Sequence, residues 1–145
     1  MQHGFFLTEE ALETLARGRG APGKRDGAVA VFEGWVRDHN QGAAVEGLRY
    51  AAYEELAASE GNAVVSETRE RFDLDEVYCV HRLGELAVGE MALYAAVSAP
   101  HRRAAFEACA YLVDEIKRRV PVWKEEHYRE GTSVWIHPRK PEAES

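Results

Sequence analysis

Cysteine is scarce in this chain: 145 residues contain two, Cys79 and Cys109, with no CxxC pair. That argues against a disulfide framework and fits a reducing cytoplasm. Long hydrophobic runs are also missing, and no stretch approaches the ~20 apolar residues needed to span a bilayer. The opening MQHGFFLTEEALETLARG has no basic segment followed by a long apolar run, so neither a signal peptide nor a membrane anchor is expected. Positive charge is in deficit, with a formal net charge of −7. This disfavours a general nucleic-acid binder, which needs a basic surface for phosphates, but it leaves room for a small anion in a local basic pocket. Metal-ligand patterns are lacking as well. None of His3, His39, His81, His101, His127 and His137 forms HxxxH or HExxH, and no Cys or carboxylate completes a zinc spacing. No metal or cofactor is therefore expected, and neither internal repeats nor low-complexity segments stand out.

Two glycine patterns imitate nucleotide loops. Gly18, Gly20 and Gly23 spell GxGxxG, and residues 18–24 spell most of GxxxxGK. Both motifs need a strand before the loop and a helix after it. Here a helix precedes and a strand follows, and Arg25 stands where a P-loop has Ser or Thr. Residues 18–27 read as an exposed loop.

What is present is an ordinary globular composition, 46% hydrophobic and 30% charged, of a size for one domain. A short helix is expected from Thr8 to about Ala16, with Thr8 as its cap and Glu9 and Glu10 at its positive end. Val-rich and aromatic stretches predict strands at 28–36, 45–53, 76–83, 91–99, from Val122 after Pro121, and at 132–136. Long helices are expected at about 54–72, weakened by Gly61, and at about 100–119. RDHNQGAA and GELAVGE read as turns, and residues 137–145 as a polar tail. After the leading helix the order is β-β-α-β-β-α-β, an α+β pattern.

The chemistry concentrates in SAPHRRAAFEACAYLVDEIKRRVPVWK. His101, Arg102 and Arg103 fall in the first helical turn, where cations oppose the helix dipole. They are either solvated charge or, with the helix N–H groups, an anion site. Residue types do not decide between the two. Lys117 follows Val113 by four residues, on the edge of an apolar stripe through Phe106, Cys109, Ala110, Val113 and Ile116. Held against apolar surface, such a lysine tends toward a depressed pKa and can serve as general acid/base or nucleophile. Residue types alone favour a lysine snorkelling at a helix C-terminus, with Arg118 and Arg119 turned to solvent or a flank. Lys124, after Pro121, could share a pocket with Lys117, and Arg37 at a strand end is a third candidate cation. Cys79 and Cys109 read as buried and inert.

The blocks GAVAVFEGWVRDHNQG, LRYAAYEELA, VHRLGELAVGE and SAPHRRAAFEACAYLVDEIKRRVPVWKEE, in that order over roughly residues 27–136, resemble the large subunit of molybdopterin synthase. VRDHN, HRxGxLxVGE, SAPHR and a closing PxWK carry the resemblance. It implies a single α+β domain over residues 1–145, a β-hammerhead-type arrangement with antiparallel strands and two main helices. It also implies a homodimer that binds a small ubiquitin-like sulfur carrier, making a heterotetramer. The carrier's C-terminal Gly-Gly tail would end as a thiocarboxylate and enter a pocket on this chain. The implied activity is a sulfurtransferase adding two sulfurs to cyclic pyranopterin monophosphate, forming the molybdopterin dithiolene. By motif, Lys117 matches the catalytic lysine and Lys124 a second active-site lysine. Arg37, His101, Arg102 and Arg139 match substrate- or anion-binding positions, Arg139 serving the neighbouring protomer. A non-catalytic anion-binding regulatory module with a similar layout is the alternative; it would leave the lysine pair unexplained.

Overall fold

The structure, a computed structural model, describes residues 2–40, 42–129, 131 and 133–136. In chain order the elements are β1 (Gly4–Thr8), α1 (Leu12–Arg17), β2 (Ala28–Trp35), β3 (His39–Asn40), β4 (Ala43–Ala52), α2 (Glu54–Phe72), β5 (Val77–Arg82), β6 (Gly84–Ala87), β7 (Met91–Ala99), α3 (Arg102–Arg119), β8 (Val122–Tyr128) and β9 (Ser133–Ile136). The fold is α+β, with two sheets and two main helices among the described residues.

The N-terminus departs from its sequence reading. Thr8 ends a strand instead of capping a helix, and its Oγ1 accepts the Glu10 N–H at 3.1 Å. The helix starts later, after Ala11, which makes no side-chain cap. The cause is tertiary. GFFLT adds to the first sheet by parallel pairing with β5, Phe5 opposite Cys79 and Leu7 opposite His81. That parallel pair also departs from an all-antiparallel expectation. Two further short strands, β3 and β6, come from stretches that read as turns; each pairs with β4.

The first sheet has the order β1-β5-β7-β2. Every residue of β7 is buried, so both faces of its strand are covered. On one face Leu93, Ala95, Val97 and Ala99 join Leu112, Val113 and Ile116 of α3 and Val64 and Val65 of α2. On the other, Tyr94 and Ala96 pack with Tyr78, Val80 and Leu12 of α1. Alternating side chains thus feed two cores from one strand, which is why MALYAAVSA reads as an unbroken apolar run. The second sheet is built on β4, which pairs antiparallel with β3, β6 and β8, while β8 pairs with β9.

The two long helices pack on one face of the first sheet. In α2 the buried positions are Ala57, Gly61, Val64, Val65 and Thr68, at helical spacing. Gly61 is less a weak point than a contact surface: a Cβ there would overlap the Phe5 ring, so its absence lets β1 dock against α2. Arg119 does not face solvent. Its side chain is 23% exposed and ties α3 to α2, with Nη2 2.7 Å from Glu67 Oε2, Nε 3.7 Å from Glu60 Oε2 and Nη1 3.5 Å from Glu115 Oε1. Arg118 pairs with Glu115 at 2.6 Å along the helix.

Candidate active site

The apolar face of α3 runs through Ala105, Ala108, Cys109, Leu112, Val113 and Ile116. This is rotated from the stripe read off the sequence: Phe106 is 65% exposed and Ala110 also faces out. Lys117, in the last turn, is consequently exposed rather than held in the core. Its contact with apolar surface comes from the neighbouring sheet. Its Nζ lies 5.9 Å from the centroid of Phe32, an inward-facing residue of β2. That is cation–π range, in which the ring face attracts the ammonium.

Lys117 also acts on a second sheet residue. His81, near the end of β5, is partly buried. Burial, together with the Lys117 charge and against the pull of the Arg82 carbonyl, brings its pKa down to about 4. Its Nδ1 lies 2.8 Å from the Arg82 carbonyl oxygen. The Tyr50 ring meets the imidazole edge-on, with centroids 4.7 Å apart at 80°. Tyr50, in β4, is the register partner of Lys124 in β8. Directly opposed residues of an antiparallel pair share a face, with Cβ atoms about 5 Å apart. Phe32 thus lies beside Lys117, while His81 meets Tyr50, which opposes Lys124; the five residues come from α3, β2, β5, β4 and β8. The sequence reading proposed the two lysines as a pair but missed the three rings beside them.

A buried carboxylate lies two residues beyond Lys124. Glu126 is 4% exposed, and its Oε1 accepts from Asn40 Nδ2 at 2.8 Å and from the Tyr128 hydroxyl at 3.0 Å. Strand alternation puts it on the same face as Lys124. Asn40, from the VRDHN block, and Glu126 thus join β3 to β8. The signal available in sequence was a Glu at i+2 from a candidate lysine.

The candidate anion-binding residues fall in two places. Arg37 is exposed, two residues past the end of β2. His101 and Arg102, both exposed, stand at the opposite end of that strand, because the Gly27 N–H donates to the Pro100 carbonyl at 3.3 Å beside the start of β2. His101 is the N-cap residue of α3 and Arg102 its first helical residue, while Arg103 pairs with Glu107 at 3.7 Å. From His101 to Lys117 is about 24 Å along the helix, at roughly 1.5 Å per residue. Within one chain, then, His101 and Arg102 are apart from Lys117. Arg139 lies outside the described residues.

Neither thiol is available. Cys79 and Cys109 are free and buried. Burial pushes both thiols up, Cys109 to about 11 and Cys79 further.

Comparison with known proteins gives this geometry a family. The family model described as MoaE protein matches residues 6–119. The molybdopterin synthase catalytic subunit of Pyrococcus abyssi is 50% identical over 131 residues, covering 90% of this chain and 84% of its own. The crystal structure of molybdopterin synthase from Staphylococcus aureus superposes with a TM-score of 0.82 at 33% identity, covering 90% of this chain and 94% of that one. A protein–protein complex of subunits 1 and 2 of molybdopterin-converting factor from Helicobacter pylori matches at TM-score 0.72 and 20% identity, a likeness of fold alone, over 92% of this chain and 88% of that one. With half of 131 aligned residues shared with one such relative and the family model matching most of its length, the chain belongs to the MoaE family of molybdopterin synthase catalytic subunits.

Proposed function

We propose that this chain is the catalytic subunit of a molybdopterin synthase, a sulfurtransferase. Sulfur comes from the thiocarboxylated C-terminus of a small ubiquitin-like subunit and is added to cyclic pyranopterin monophosphate, twice, to form the molybdopterin dithiolene. The observation that carries this reading is the placement of Lys117 over the Phe32 ring and of Lys124 opposite Tyr50, whose ring meets His81, on a chain whose own thiols are both buried.

A protein with no reachable thiol needs its sulfur delivered. A Gly-Gly tail suits delivery into a narrow pocket, since glycine tolerates close backbone approach and unusual dihedrals. Lys117 then moves protons or contacts the terminal carbonyl of the tail. Lys124 and Arg37 stabilise negative charge developing on the pterin side chain and the attacked tail. His101 and Arg102 hold substrate phosphate. Their distance from Lys117 along α3 supports a homodimer in which one copy's helix start serves the other copy's lysines, with Arg139 on the same cross-protomer side. The unpaired cysteines fit a cytoplasmic setting, and no helix among the described residues is long and apolar enough to cross a membrane.

The test is reconstitution. This protein is mixed with a thiocarboxylated small subunit and the pterin precursor, and molybdopterin is assayed. Product should form with the full-length partner. A partner lacking its last two residues should still bind, more weakly, and give none. Equal product from inorganic sulfide without any partner would overturn the reading.

A further inference from the structure

Strand β3 is two residues long and lies at an edge of the second sheet, His39 opposite Ala44 and Asn40 opposite Ala43. Backbone pairing over so short a stretch is marginal by itself. The Asn40 side chain adds to it. Its Nδ2 donates to Glu126 Oε1 at 2.8 Å, and the Tyr128 hydroxyl donates to the same oxygen at 3.0 Å. β3 and β8 flank β4 on opposite sides, so the Asn40–Glu126 bond passes over β4, where its pairing with β8 shifts register between Val45 and Gly47. Glu126 is 4% exposed. A buried carboxylate holds such donors firmly, because charge strengthens each bond and losing one away from water is costly.

Two candidate cations flank this bond. Arg37 stands three residues before Asn40, and Lys124 two residues before Glu126 on the same face of β8. Upstream of Arg37, the Val36 N–H donates to the Glu90 carbonyl and the Val36 carbonyl accepts from the Gly89 N–H, both at 2.9 Å. Downstream, the Asp38 carbonyl accepts from the Val45 N–H at 2.8 Å. These bonds tie the segment to β4 and to the turn before β7. The Asn40 side chain ties it to β8, the strand of Lys124.

We propose that Asn40 is a positioning residue for Arg37: through Glu126 it fixes the segment that carries Arg37 against the strand that carries Lys124, so that both cations meet one anionic substrate. This rests on Arg37 and Lys124 being substrate-facing cations. Glu126 serves here as an acceptor shared by two donors. The demand on the pair is geometric, and a misplacement of ~1 Å can cost a site about 100-fold.

Asn40→Asp combined with Glu126→Gln is the deciding variant, since it reverses donor and acceptor while keeping size and net charge. Asn40→Asp alone removes the donor and sets one carboxylate against another. With thiocarboxylated partner, Asn40→Asp should lower kcat/KM for the precursor about tenfold or more. The combined variant should recover most of that. A double-mutant cycle separates positioning from plain stability. Because Asn40 acts through Arg37, Asn40→Ala should add little to the loss from Arg37→Ala, and should add in full to the loss from Arg102→Ala. A stability effect adds to both. Should Asn40→Ala fail to fold, the size-matched Asn40→Asp takes its place in the cycle. Parental kcat/KM in Asn40→Asp, a combined variant no better than Asn40→Asp, or full additivity with Arg37→Ala would overturn the inference. Arg37→Ala by itself tells the two claims apart. If it leaves kcat/KM unchanged, the reading of Arg37 as a substrate cation is wrong. If it is impaired while Asn40→Asp turns over at the parental rate, only the role of Asn40 is lost.

Discussion

The Phe5 ring occupies the volume that a side chain on Gly61 would need: a Cβ built there overlaps ring atoms Cγ and Cδ2. Phe5 is 3% exposed and Gly61 sits inside α2, so neither can move away without opening the core. Helix propensity alone makes Gly61→Ala stabilising by up to ~1 kcal/mol. Overpacking opposes it by ~1–3 kcal/mol or more, and overpacking should win. Urea denaturation should show Gly61→Ala less stable than the parent, with part of the loss recovered when Phe5→Leu is added. A Gly61→Ala protein of parental stability would refute the packing argument.

Lys117→Ala should abolish sulfur transfer while shifting the melting temperature little, because the side chain is exposed and fills no core space. Lys117→Arg should fail as well. Guanidinium keeps its charge over the Phe32 ring but stays protonated and cannot shuttle protons. Product assays and thermal unfolding on the same preparations check both points; near-parental turnover in either variant removes Lys117 from the chemistry.

If the two ends of α3 serve different sites of a dimer, defects at the two ends should complement. Lys117→Ala and Arg102→Ala should each be impaired alone. Mixed after dissociation and reassociation, they should regain activity, since one site of each mixed dimer combines an intact Lys117 with an intact Arg102. Random pairing makes half the dimers mixed, so roughly a quarter of all sites should work. A mixture no better than the average of its components would place Arg102 and Lys117 in separate functions.

The α2–α3 contact should weaken in acid. The Arg119 hydrogen bond holds the Glu67 carboxyl below its ordinary value, and Arg118, then Arg119, do the same for Glu115. A carboxylate with a depressed folded-state pKa adds stability above the ordinary Glu range, and that stability is lost as pH falls through the lower folded value. The parent should therefore lose stability more steeply below about pH 4.5 than Arg119→Met, in which Glu67 loses its arginine while Arg118 still holds Glu115. The difference should shrink at high salt, since Glu67 is close to half exposed. Denaturation midpoints across an acid series decide it; parallel curves would mean that the arginine contributes by packing alone.

The sequence was most legible where local chemistry and tertiary context agree. MALYAAVSA is strand by composition and is buried on both faces, and α2 and α3 fall within two residues of their expected bounds, although the apolar face of α3 is rotated from the one expected. It was least legible where a partner far along the chain decides. GFFLT becomes a strand because β5 lies beside it, some seventy residues on. GELA pairs with β4 for the same reason, although its glycines read as a turn. The site divided along the same line. Lys117 and Lys124 are conspicuous as cations beside apolar or proline-marked segments. Phe32, His81 and Tyr50 look like ordinary strand residues, and only the juxtaposition of two sheets and a helix joins them to the lysines. That His101 and Arg102 stand a helix length from Lys117 follows from residue spacing alone, once the helix at about 100–119 is read.

The burial of both cysteines bears on the hazards of handling activated sulfur. A thiocarboxylate brought onto a protein can be intercepted by any nearby thiolate, which would take the acyl group or the sulfur and end the cycle as an unproductive adduct. A thiol pushed up to about 11 is ionised in roughly one molecule in ten thousand near pH 7, and Cys79 still less often. Both are also closed off from solvent by the cores around them. The chain can thus keep company with a reactive donor through many turnovers without becoming an acceptor itself, and its fidelity as a go-between comes from groups that stay chemically silent.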